Sequence, residues 1–248
     1  MLIVIRKKHL RFFSVFAFCC LLLVGTAAVL KEGGKAALTA ARISLPQTPT
    51  FVVDAGHGGE DGGAVAGDGT VESTVNLAVA QRVNDLLRFC GAQTKMTRTS
   101  DRSTYSGEQK TIHAKKVSDL KNRAALVNGT ENSVLVSIHQ NCLPSAPRVH
   151  GAQVFYNTAG GAEALAANVQ AALNRSVNPG NEKHMKKISP SIYLMKHVNA
   201  PAVLIECGFL SNPSETAALQ QPDYQLKLAS AIAAGVLQPA DPIQEEKP

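Results

Sequence analysis

Two histidines and two glutamates stand in settings that single them out. His57 lies in the glycine-rich run DAGHGGEDGGA, and His139 closes the apolar run SVLVSIH. Glu206 follows four apolar residues in AVLIECGF, and Glu72 opens a stretch with helical spacing. Two imidazoles and a carboxylate on separate elements, with a fourth position open, are how catalytic zinc is held; a water in that position has its pKa lowered to about 7. A further carboxylate is then needed to take and return protons. His57, Glu72 and His139 are therefore the candidate metal ligands, and Glu206 the candidate catalytic residue. Each also has a plainer reading. A glycine-rich loop can simply turn, a histidine at a strand end can be structural, and an acid at a helix start is favoured by the dipole alone. Glu206 resists one, because a carboxylate after four apolar residues is costly to bury unless paired or used.

The elements that must position these residues follow from periodicity. Residues 50–54 (TFVVD) form a short β-branched and apolar run that ends at the glycine-rich loop, as a strand does. Residues 72–89 place Val75, Val79, Val83, Leu86 and Leu87 on one helical face. Further strands are expected at 94–97, 133–139, 152–156, 192–195 and 202–206, and further helices at 117–127, 162–173 and 224–236. Strands alternating with helices predict a single α/β domain with a mainly parallel, mixed sheet flanked by helices. Ligands in such sheets bind beyond the C-terminal strand ends. Three expected strands lead there into His57, His139 and Glu206.

The formal net charge of +6 invites a nucleic-acid partner, but its distribution does not support one. Residues 1–30 hold Arg6, Lys7, Lys8 and Arg11 and no acid, whereas the remainder carries 21 basic and 19 acidic residues. Trp is absent and aromatics are 5%, which counts against a stacking surface for single strands or a lectin-like platform. Residues 12–30 are uncharged and, at about 1.5 Å per residue, span roughly the bilayer core. With the basic flank held in the cytoplasm, the rest of the chain is expected outside. Residues 1–30 thus read as a signal anchor or a cleaved signal peptide, 31–49 as a linker, 50–238 as the catalytic domain and 239–248 as a flexible tail. Cys90, Cys142 and Cys207 are an odd set, which makes no disulfide framework. Small buried hydrophobes are the plain reading, with a Cys142–Cys207 bridge or a thiolate ligand as the alternative.

Four motifs in order, VVDAGHGGEDGGAVAGDGTVESTVNLAVAQRV, KNRAALVN, SIHQNCLP with GAQVFY, and APAVLIECGFLSN, resemble the zinc-dependent N-acetylmuramoyl-L-alanine amidases (the amidase 3 family). The resemblance covers residues 51–237, and IYLMKHVNAP with IECGFLSNP is similar to the sporulation members that act on spore cortex peptidoglycan and help generate muramic δ-lactam. It implies zinc on His57, Glu72 and His139, with Glu206 as catalytic glutamate. The implied bond is the amide joining the lactyl group of N-acetylmuramic acid to L-Ala, with peptidoglycan as substrate and a sporulation accessory protein left open. Ala55 stands where the first motif commonly has Pro, which alters loop stiffness but not ligation. Asn141 could bind substrate. Arg123 could pair with a peptide carboxylate, fix a loop or make a structural salt bridge. His113, His150, His184 and His197 have no implied role. The competing readings are another zinc peptidoglycan peptidase and a non-catalytic, anchored wall-binding module.

Overall fold

A computed structural model of the chain describes residues 48–239. The expected anchor or signal at 12–30 and most of the linker and tail lie outside the described residues. Among those described, no helix is long and apolar enough to cross a membrane.

Six strands form one sheet: β1 Thr50–Ala55, β2 Gln93–Met96, β3 Ser133–Asn141, β4 Gln153–Tyr156, β5 Lys186–Lys187 and β6 Ala202–Phe209. Their spatial order is β2-β1-β3-β6-β4-β5. The pairs β2–β1, β1–β3 and β3–β6 are parallel, β4 runs antiparallel to β6, and β5 is parallel to β4, so the sheet is mixed. The helices are α1 Glu72–Phe89, α2 Ile112–Asn128, α3 Ala162–Ser176, α4 Tyr193–His197, α5 Pro213–Leu219 and α6 Pro222–Val236.

The period-two pattern of the strands assigns the helices to two faces. Phe51, Val53 and Ala55 of β1, Val136 and Ile138 of β3, and Val203, Ile205 and Cys207 of β6 pack with the apolar stripes of α1, α3 and α6. Val52, Leu135, Ala202 and Leu204 turn the other way and meet Ala124 and Val127 of α2 and Leu194 and Met195 of α4. α2 begins at the Thr111 cap, whose side chain accepts the Ala114 N–H. The second face is covered less fully, and the cleft described below opens on it.

One expected strand is corrected. Residues 193–195 open a short helix, α4, whose turn is closed by Lys196 N–H on Ile192 O and Val198 N–H on Leu194 O, both at 3.1 Å, with Leu194 and Met195 buried against the α2 face. The two-residue edge strand β5 and the helix α5 carry too few residues to show a period in sequence. Pro213 at the start of α5 and the Asn212 side chain accepting from Ser214 and Glu215 N–H are its only local signals.

Candidate active site

β1, β3 and β6 pair in register, and that register assembles the site. Ala55 pairs with Ile138, and His139 pairs with Glu206 on the next strand. Gly56, one residue beyond β1, donates its N–H to Ile138 O at 3.0 Å. A Cβ at Gly56 would overlap the His139 imidazole, so a glycine is needed there for the ring to lie across the strand end. Glu206 pairs on its other side with Gln153 of β4.

The loop after Gly56 brings in His57. His57 has a backbone φ of 60°, uncommon for a residue with a side chain, and strain of this kind clusters at functional positions. The loop is pinned by Arg98, whose Nη2 donates to Gly56 O and Ser73 O, and by Arg123 Nη2, which donates to His57 O at 2.7 Å. Glu72, the first residue of α1, is only 4% exposed. Its Oε2 accepts from Ala64 N–H and its Oε1 from Gln140 N–H and Asn76 Nδ2. Asn76 stands one helical turn on and also donates to Gly56 O, which joins α1 to the His57 loop.

The candidate donors converge. His57 Nε2 lies 3.3 Å from Glu72 Oε2, and His139 Nδ1 lies 3.0 Å from Glu72 Oε1. One ligand atom from each of the three residues falls within 4.8 Å of the others, a donor set of two imidazole nitrogens and one carboxylate oxygen that fits zinc. Burial opposes charge on both His57 and Glu72, but their mutual contacts outweigh it. Asp61 and Glu72 raise the His57 pKa to about 9, while the two histidines hold Glu72 far below the usual carboxylate range. Glu206 differs. Burial raises its pKa to about 7, Glu72 adds to the rise, and the two histidines oppose it. Its Oε2 is buried without a hydrogen-bond partner. All four residues line one open cavity of about 490 Å³, together with Asn141, Cys142, Ile192 and Tyr193.

The chain matches the model of the N-acetylmuramoyl-L-alanine amidases, Amidase_3, over residues 51–238. It belongs to that family. The germination-specific N-acetylmuramoyl-L-alanine amidase of Bacillus subtilis is 42% identical to it over 196 residues, 78% of this chain and 81% of that one. Among solved structures, the CwlD amidase of Clostridioides difficile, determined in complex with the GerS lipoprotein, is 38% identical with a TM-score of 0.72, covering 76% of this chain and 96% of that one. An N-acetylmuramoyl-L-alanine amidase of Clostridium difficile 630 is 31% identical with a TM-score of 0.65, covering 77% and 95%.

The remaining sequence candidates separate. In the amidase, Asn141 lines the cavity and its Oδ1 accepts the Cys142 N–H. Arg123 is 2% exposed, and all five of its N–H groups have protein acceptors: Asp119 at Nε, Asp54 and Ala55 O at Nη1, and His57 O and Asp119 at Nη2. Arg123 also lines the cavity, and its hydrogen bonds within the fold support the structural alternative of the sequence reading. Cys90, Cys142 and Cys207 are free thiols, and only Cys207 is fully buried. His113, His150, His184 and His197 are exposed. Asp61, Asn76 and Gln140 were missed as site residues. Asp61 and Asn76 each lie four residues after a candidate ligand, which was the available signal.

Proposed function

We propose that this amidase is a zinc enzyme that cleaves the amide between the lactyl group of N-acetylmuramic acid and L-Ala in spore cortex peptidoglycan, as a step toward muramic δ-lactam. The observation that carries the reading is the convergence of His57, Glu72 and His139 beside a buried, unpartnered Glu206 oxygen. His57, Glu72 and His139 would hold the zinc. Bound zinc supplies Lewis acidity toward the scissile carbonyl and a water made acidic enough to ionise near neutrality. Glu206 takes the proton of the attacking water and returns one to the departing amine of L-Ala, a role that suits a carboxyl with a pKa near neutrality. Asn141 offers its amide to the substrate from the cavity wall. Residues 12–30 would hold or export the chain so that the domain works outside the cytoplasm. By likeness to the CwlD amidase solved with GerS, an accessory lipoprotein is proposed as a partner.

Digestion of purified cortex peptidoglycan, with and without chelator, tests this directly by mass analysis of the products. Free lactyl ends that vanish on chelation and return with zinc are expected. Shortened peptides would indicate a peptidase instead, and products indifferent to chelation would remove zinc from the reaction.

A further inference from the structure

The two nitrogens of His57 face different carboxylates. Nε2 points to Glu72 Oε2 in the donor cluster, while Nδ1 lies 3.0 Å from Asp61 Oδ2. Both carboxylates only accept, so each ring nitrogen holds a proton toward its partner when no cation is bound; a cation among the donors would replace the proton at Nε2, while Asp61 keeps the one at Nδ1. The chain turns sharply to place Asp61 there. Gly58 and Asp61 exchange backbone hydrogen bonds at 2.8 and 3.3 Å, which requires the left-handed φ of Gly58 and Gly59. Asp61 is itself held from another element. Lys116, near the start of α2, places its Nζ 3.0 Å from the same Oδ2. Its neighbour Lys115 pairs with Glu60, so two adjacent acid–base pairs fasten α2 to the His57 loop. Asp61 is outside the three-donor cluster.

We infer that Asp61 is a positioning residue that fixes the tautomer and orientation of His57 for metal binding, with Lys116 holding Asp61 in place. The inference rests on the zinc reading above. Carboxylates behind ligating histidines do this generally, and losing one weakens metal binding by about 10–100-fold. The test uses the full chain and variants Asp61→Asn and Lys116→Met. Zinc dissociation constants are read by competition with a chromophoric chelator, visible absorption is read after cobalt substitution, and melting is measured on the metal-free proteins. Asp61→Asn is expected to weaken zinc binding by about 10–100-fold and to alter the cobalt spectrum, with metal-free melting lowered by only a few degrees. Lys116→Met is expected to give a smaller loss in the same direction. Wild-type affinity in Asp61→Asn, or lowered melting with unchanged affinity, would overturn the inference. If Asp61→Asn does not fold, Lys116→Met decides, and unchanged affinity there overturns it. A wild-type chain that binds no zinc would overturn the zinc reading and this inference with it, whereas zinc bound equally by wild type and Asp61→Asn overturns the inference alone.

Discussion

A carboxylate oxygen buried without a hydrogen bond opposes folding once the group ionises, and Glu206 Oε2 is such an atom. Its folded pKa of about 7 is above its ordinary value of 4.5, so the native state binds the extra proton between those values. Stability therefore falls as pH rises through that window, by about 3 kcal/mol at completion. Glu206→Gln removes the ionisation. Thermal melts of metal-free protein should show the variant more stable than wild type at pH 8 and level with it near pH 4. If Glu206 is the proposed proton carrier and not a ligand, the same change lowers turnover of cortex muropeptides by about 10²–10⁴-fold and leaves zinc binding unchanged. Full activity would take Glu206 out of the reaction. A bound cation favours the ionised carboxylate, so the rising limb of the wild-type pH–rate profile should lie below pH 7. Gly56 is subject to a different constraint. Gly56→Ala pushes a methyl group into the His139 ring, an overpacking that costs about 1–3 kcal/mol. Calorimetric zinc titration should show binding lost along with that stability, and unchanged affinity would mean the ring has room elsewhere.

At the scale of elements, α2 is fastened to the sheet through Arg123. Its guanidinium joins Asp119 of the same helix to Asp54 of β1, whose other oxygen accepts from Ser137 of β3 at 2.6 Å. Burial opposes the charge on Asp54, but Arg123 and Ser137 outweigh it and hold the pKa at about 2 against an ordinary 3.8. A depressed carboxylate pKa contributes stability that is present above the unfolded value and lost as pH falls through the folded one. Between pH 5 and pH 2, wild type should lose about 2 kcal/mol through Asp54, seen as a falling urea midpoint. Asp54→Asn leaves Arg123 with a missing counter-charge and should destabilise by about 3–5 kcal/mol at pH 7, with a flatter acid limb. This network also marks where sequence reading ended. The long elements were legible, because apolar periodicity names β1, α1, β3 and β6, and His57, His139 and Glu206 stand out as the polar residues that follow those apolar runs; β3 and β6 in fact run on past His139 and Glu206 to Asn141 and Phe209. Arg123 was not settled by its motif, because a helical arginine looks the same in sequence whether its partner is a carboxylate of the fold or of a substrate. Residues 192–195 were misread for a related reason. Four apolar and amphipathic residues fit a strand or a turn of helix, and packing against α2 selects the helix.

For the whole molecule, net charge divides the chain, since the basic excess is concentrated in residues 1–30 and the sequence beyond them is near neutral. A near-neutral domain does not collect an anionic polymer from a distance, so its substrate is to be recognised in the cleft by local contacts. A chain beginning at Thr48 should then fold and keep kcat/KM on muropeptides within about twofold of the full chain, the effect expected of changes remote from a site. Zinc at about 100 times its Kd stabilises a folded site by about 2.7 kcal/mol. For a domain of this size that is a rise of about 5–10 °C in Tm, and the full and shortened chains should show the same rise. Their separation should appear only in membrane flotation, where the full chain rises with vesicles and the shortened chain stays below. A shortened chain that melts normally but has lost its zinc response would place part of the metal site in residues 1–47, and the assignment of His57, Glu72 and His139 as a sufficient donor set would fall.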